Sequence, residues 1–571
     1  MTALSKLQLK QLWKAYFQPT SADFSNLIDS WADYNFTATG TSAVARPVIS
    51  KLGDIVSVKD FGAVGDGVTD DTSAIQAAAN AVLARGGGKV FLPPTGAAYR
   101  ITNTISLGNG TVLWAPPAAN FPGVTGTVAQ WSAYGSWLKP EHPSNPAVRL
   151  QGHGSGVEGI NFIHDQPVPG ASFTPNTYGY CISQTTSFGV IRDVVIVNAS
   201  HGIEMAYNSA SGGGTGVQWE NLRISAFAVC IRTSNVNDTA KWVNVHLRNL
   251  YYADNSVVVA YIRANTTGWD CGYTDNLMVD GLEIFEYARG LYLRNETCLS
   301  ITHSLYNAQL SNVQFNLCQK SVVLDSSSVS TRAYFANCLA QQGNAFGYTW
   351  SDLVFDLASD SVLWEFANLN IVEAGGEVMR IGNGSGGVVI ASNLNVEAYS
   401  TIAAGQTAFT LNAGAELRLS GYRVVKSSGA GNRFAGAGLE GLRTDQYGGI
   451  SVYGRFGEVD ITAAATGYAD WSTSFDVRPG SGRFHLARMQ GEMQVFTSVS
   501  GATFDIRMNG ISNVVVSALD GNSTGFKSFD TNWVEVTEAD LSAFASFGRF
   551  QVNPSAIGLR LRNGSLTLAW K

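Results

Sequence analysis

Three arginines recur in similar surroundings, Arg232 in IRTSN, Arg263 in IRANT and Arg294 in LRNET, and Asp325 follows in LDSSS. Guanidinium groups stacked one repeat apart repel by about a kcal/mol even in water, unless an anion lies across them. Arginine gives paired hydrogen bonds to carboxylates, so such a column offers capture of an acidic polymer. The alternative is a solvated face balanced by Glu296 and Asp325. Matching Leu250 with Leu282 gives a second column, in which Tyr251 stands beside Glu283 and Asp254 beside Glu286. Carboxylates on adjacent strands would lie roughly 5 Å apart, the separation of a retaining glycosidase pair, and their repulsion would lift one into the acid role. Asp270 and Asp275, flanking Cys271 and Tyr273, are rival acids, and His246 and His303 are candidate bases. Trp242, Trp269 and Tyr273, with Trp219, fall in or beside loop-rich segments. There they would rim a sugar-binding groove, or else pack in a loop-covered apolar cluster. No metal and no cofactor is expected.

These side chains need a scaffold that stacks like residues. From about residue 100 to 425 the pattern of Asn, apolar, any, apolar recurs at Asn221, Asn312, Asn368 and Asn393. Related turns occur at Ile160, Asp193, Asn249 and Gly281, and second strands begin at His201, Ala228, Arg289, Lys320 and Glu377. Such a period predicts a solenoid whose coils stack about 4.8 Å apart, with an apolar ladder inside and a variable one outside. Asparagine tolerates the left-handed backbone of a sharp corner, and stacked amides can bond from coil to coil. That explanation leaves those asparagines no catalytic role.

Before the repeats, Val56 and Val58 alternate as a strand, Gly62, Gly65 and Gly67 break the chain, and Asp70 and Asp71 are N-cap candidates. Ile75, Ala78, Ala79, Val82 and Leu83 form one apolar stripe, predicting a helix over 71–85 that ends at Gly86-Gly87-Gly88. The stretch DFGAVGDGVTDDTSAIQAA followed by GGGKVFLPPTGAAYRI resembles the opening of the pectate-lyase-like right-handed β-helix family, which includes phage tailspikes and polysaccharide depolymerases. The resemblance covers about residues 55–105. It implies an all-β, right-handed parallel β-helix over 51–437, a phage tail location after assembly in the host cytoplasm, and a homotrimer. It also implies a bacterial surface polysaccharide as substrate, and the paired carboxylates favour its cleavage by hydrolysis. Elimination at a uronic acid, or adhesion without cleavage, are the alternatives. Gly152-His153-Gly154 is similar to a polygalacturonase element, but the acidic motifs that precede it in that family are absent.

The ends differ from the middle. Residues 1–50 read as two short amphipathic helices and a linker, with aromatic faces suited to docking on a phage tail or baseplate. After residue 437, short alternating strands predict an antiparallel sandwich that closes the solenoid or supports trimerisation. With 571 residues, 14% charged and a net charge of −7, the chain carries no electrostatic footprint for nucleic acid. No apolar run of membrane-spanning length occurs, so no membrane insertion is expected. Six cysteines without a CxxC pair predict buried free thiols.

Overall fold

The computed structural model describes residues 35–442 except 118–132, 143, 208–213, 249–254, 344–349, 426 and 438–441, together with strand backbone between 443 and 570. The N-terminal helical pair expected before residue 35 lies outside the described residues. A short helix, α1 (Val48–Leu52), precedes the opening strand Val56–Ser57. The second helix, α2 (Thr72–Ala84), buries Ala74, Ile75, Ala78, Ala79 and Val82, close to the expected stripe, while Leu83 is exposed. The two aspartates act differently from simple caps. Asp71 is buried and accepts Val64 N–H and Gly65 N–H, so it clamps the glycine turn. Asp70 takes the first helical amide, Thr72 N–H, at 3.1 Å.

From there the chain winds into a right-handed parallel β-helix, the hand that parallel crossovers adopt. One 27-stranded sheet runs through the coils, and its strands pair in parallel. Each regular coil has a first strand, a corner, a second strand, a turn and a third strand. In Gln218–Ser234, for example, the corner falls at Asn221, and the strand pairs onward with Lys241–Arg248 and Thr267–Cys271. The corners are left-handed, with φ between 54° and 63° at Asn221, Asn244, Asn312, Asn337, Asn368 and Asn393, and Gly281 takes the place of asparagine at 76°. Their side-chain amides form ladders, each donating to the previous coil. Asn244 donates to Asn221 and Asn221 to Asp193, both at 2.9 Å. Asn393, Asn368, Asn337 and Asn312 continue at 2.9, 2.9 and 3.1 Å, and Asn312 ends on Asp280 at 2.8 Å. The corner role expected of asparagine is therefore what the structure shows.

The interior is a continuous apolar core in which like side chains sit on like. Trp219 stacks on Trp242 with centroids 4.8 Å apart and planes 5° apart, and Trp242 meets Trp269 at 4.8 Å. All six cysteines are buried free thiols. Burial pushes Cys230, Cys271 and Cys318 up to about 12, which leaves them unreactive near neutrality. A satellite cluster lies outside the solenoid, where helix α3 (Ser256–Asn265) contributes Val258 and Ile262 to Trp137, Phe173, Val197 and Phe227. Beyond residue 442, strands such as Phe484–Val495 and Leu559–Trp570 pair antiparallel, in one six-stranded and one four-stranded sheet. Among the described residues no helix is long and apolar enough to cross a membrane.

Candidate functional site

The strand register decides which side chains share an outward column, and it redraws both columns expected from the sequence. Arg263 does not stack on Arg232. It lies in α3, because Asn255 caps Val257 and Val258 and the run VVVAYI winds as a helix. An apolar run of that length suits a strand or a helix equally by pattern. The strand stacked on Val229–Thr233 is instead Thr267–Cys271, which puts Asp270 opposite Arg232. The true column on this third face is Glu204, Arg232, Asp270 and Tyr292 on successive coils. Arg294 lies just beyond the strand Arg289–Leu293 and turns back to the column.

Acids and bases alternate in this cluster. Arg294 Nε donates to Asp270 Oδ1 at 2.6 Å, its Nη1 meets Glu296, and Arg232 Nε stands 3.9 Å from Asp270 Oδ2. Burial opposes the charge of Arg294, but Glu296 and Asp270 outweigh it and raise the guanidinium further. Glu296 is fixed in turn by Tyr273 N–H at 3.1 Å. A Cβ on Gly272 would come within 2.2 Å of that carboxylate, so only glycine lets the acid reach the backbone. Tyr292 donates to Asp325, and burial together with this acid pushes its phenol up to about 12. Arg232 is 41% exposed, whereas Asp270 and Arg294 are 17% exposed, so the cluster is a half-enclosed surface.

The second face is also reset. Leu282 pairs with Val245 and not with Leu250, so His246, in place of Tyr251, stands beside Glu283. Tyr251 and Asp254 lie outside the described residues. His246 Nδ1 is 3.4 Å from Glu283 Oε2, and Asn316 Nδ2 donates to Glu283 Oε1 at 3.5 Å. Glu286 sits in the following turn with φ 65°, buried, and accepts Arg263 Nη2 at 3.1 Å. Arg263 also lies over the Trp350 ring at 5.3 Å.

The expected aromatic rim is absent from this surface. Trp242 and Trp269 have no exposed area and form the interior stack, because inward positions repeat from coil to coil. Tyr273 is 4% exposed and stacks on His303 at 3.9 Å, in a loop-covered cluster. An open groove of about 750 Å³ runs along the first face instead, past Lys241, Met278, Gln309, Tyr334, Glu365 and Ile390. Glu204, Arg223 and the His246–Glu283 pair escaped the sequence analysis. One signal pointed to Arg223 and His246: QWENLRI and KWVNVHL align through Trp219 with Trp242 and Asn221 with Asn244, which sets Arg223 beside His246. Among the described residues no group of three His, Cys, Asp or Glu side chains could hold a metal ion.

Residues 55–125 match the family described as rhamnogalacturonase A/epimerase, pectate lyase-like. Mannuronan C5-epimerase AlgE5 of Azotobacter vinelandii is 70% identical over 37 residues, 6% of this chain and 4% of the relative. Alginate lyase 7 of the same organism is 49% identical over 57 residues, 10% of this chain and 6% of the relative. The match to these curated relatives thus spans less than a tenth of their length and is confined to a short segment. Among solved structures, a double mutant of the tailspike protein of E. coli bacteriophage HK620 superposes with a TM-score of 0.50 at 10% identity. The alignment covers 96% of this chain and 99% of that one. The fold is that of the pectate-lyase-like β-helix proteins.

Proposed function

We propose that this chain is a phage tailspike that binds a bacterial surface polysaccharide, a capsule, exopolysaccharide or O-antigen, and hydrolyses its glycosidic bonds on the third face. One observation carries the proposal: Glu204 and Asp270 point outward on strands two coils apart, with Arg232 between them. Two coil steps separate their backbones by about 9.5 Å, and inverting hydrolases hold their carboxyls ~6.5–9.5 Å apart with room for a water. Single displacement therefore replaces the retaining pair expected from the sequence. Asp270, already an acceptor for Arg294, takes a proton from the attacking water as its oxygen bonds to the anomeric carbon. Glu204 gives a proton to the departing glycosidic oxygen. Arg232 and Tyr292 border the two acids and supply hydrogen bonds to sugar hydroxyls.

The curated relatives that match a short segment of this chain are named for acting on mannuronan and alginate, which supports a polysaccharide as the class of substrate. The further parts of the proposal follow from the resemblance and from the chain's ends. Residues 1–50 attach the protein to the tail or baseplate, residues 438–571 close the solenoid or hold three copies together, and the working assembly is a homotrimer.

The test is incubation with purified bacterial glycans, read as viscosity, new reducing ends and ultraviolet absorbance. The expected result is falling viscosity with reducing ends and no absorbing unsaturated product. Asp270→Asn and Glu204→Gln should each slow cleavage by roughly 10²–10⁴-fold with an unchanged melting temperature. An unsaturated product would replace hydrolysis by elimination, and binding without cleavage would leave a receptor-binding protein.

A further inference from the structure

We propose that the third face continues past Glu204, toward the start of the solenoid, as a subsite for a carboxylated sugar unit on the leaving side of the cleaved bond, with Arg149 as its cation. The inference rests on the reading of this face as the cleavage face, and it adds what the departing part of the glycan carries. Glu204 pairs in register with Ser183, Ser183 with Arg149, and Arg149 with Ser106, so the four occupy one outward column. Two coil steps put Arg149 about 9.5 Å from Glu204 along the face. Ser183, between them, is short and 2% exposed, so the surface is lowest there, with a long side chain at either end. Tyr180 and His201, three residues earlier on the strands of Ser183 and Glu204, stand in register with ring centroids 4.9 Å apart. Both are half-buried and border this step in the surface on one side.

Charge points to the kind of ligand. On the same face Arg232, Arg294 and Arg380 each stand 2.6–3.9 Å from a carboxylate oxygen. Among the described residues the Arg149 guanidinium has no ion pair and no hydrogen bond, and the side chains stacked on either side of it, Ser106 and Ser183, are uncharged. The nearest acid in its column is Glu204, two coils away. Arg149 is half-buried, so its cation has given up part of its water without gaining a counter-charge. A neutral sugar returns only hydroxyls to such a group. A uronate carries its carboxylate outside the ring, where the planar fork of arginine takes it in two parallel hydrogen bonds. With Glu204 giving its proton to the departing oxygen, the unit that leaves lies over Ser183 and carries its acid to Arg149. The glycan is then one whose cleaved linkage has an acidic unit on that side.

The experiment is isothermal titration of the full chain with tetragalacturonate, and with maltotetraose as the neutral probe, at low and high salt. Tetragalacturonate is expected to bind more tightly than maltotetraose, and to weaken by about threefold or more at high salt. Arg149→Gln should weaken it about tenfold with unchanged melting temperature. Arg149→Lys should lose less, because it keeps the charge without the fork. Arg380→Gln, on the same face but matched by Glu377, should leave the affinity as it was. Equal affinity for the two probes, absence of binding, or a loss in Arg380→Gln as large as in Arg149→Gln would overturn the proposal. Glycan cleavage combined with binding indifferent to Arg149 would remove this subsite alone, and Arg149-dependent binding without cleavage would remove only the hydrolysis.

Discussion

The coils from Asn312 to Asn393 and those from Asp193 to Asn312 share one interior plan and differ outside. In the first set the corners are 25, 31 and 25 residues apart and the asparagine ladder is unbroken. In the second set the corners step by 28 and then 23 residues, α3 interrupts a coil, and Gly281 breaks the ladder. Every charge cluster described on the second and third faces lies in or next to the irregular set. Uniform coils need only repeat to satisfy their backbone and core. Irregular ones place unlike side chains side by side, and that is where chemistry becomes available.

If the interior is uniform while the exterior is not, tryptophans from the two sets should be equally costly to remove. Trp242→Ala and Trp364→Ala, both fully buried, should each destabilise by about 3–5 kcal/mol in denaturant unfolding. A cost confined to one of them would break the comparison.

Acid should attack first at the coil that precedes the irregular set and stacks on it. His164 is buried against Tyr178 at 4.3 Å, and burial lowers it to about 3, with His142 and His201 adding repulsion. Its folded value lies below the ordinary 6.5, so the stability it contributes is full above pH 6.5. That stability is lost as pH falls toward 3, by about 1.4 kcal/mol per unit. His164→Phe should flatten the melting temperature against pH between 6.5 and 4, whereas substitutions in the Asn312–Asn393 coils should leave that slope intact.

Within the regular set, Asn368→Ala loses two ladder bonds, the one it donates to Asn337 and the one it accepts from Asn393, and puts alanine at φ 63°. Thermal unfolding should show a loss of about 1–2 kcal/mol, with glycan cleavage unchanged. The smallest effect should come from repairing the break. A Cβ at Gly281 meets nothing closer than 3.6 Å, so Gly281→Asn should join the two ladders and stabilise by about 0.5 kcal/mol. No gain would mean that the break is imposed by the neighbouring coils and not by the missing amide.

These differences also explain what could be read from the chain. The capping helix and the asparagine corners were legible because each follows a local rule: a 3.6-residue stripe, and a residue that accepts positive φ. The outward columns were not, because a column depends on counting coils across excursions of unequal length. Asn249 and Asn244 both head an apolar alternation, and only stacking of Trp242 on Trp219 selects Asn244. Arg263 follows the same residue type, Ile, as Arg232 does, yet a helix-capping asparagine removes it from the sheet. The tryptophans were misplaced for a related reason. An aromatic between polar residues looks exposed, whereas in a stacked coil it marks the inward phase of the strand.

The break at Gly281 also bears on how the chain reaches this structure. Parallel pairing joins residues distant in sequence and forms slowly, so each coil needs a finished neighbour as a template. The asparagine ladders act as zippers, one running from Asp193 to Asn244 and the other from Asp280 to Asn393. Two zippers without a shared tooth can start independently. Until they meet, each presents an open sheet edge able to pair with another chain. The seam at Gly281 is then the point where a newly made molecule is most exposed to joining out of register, or to joining its neighbour.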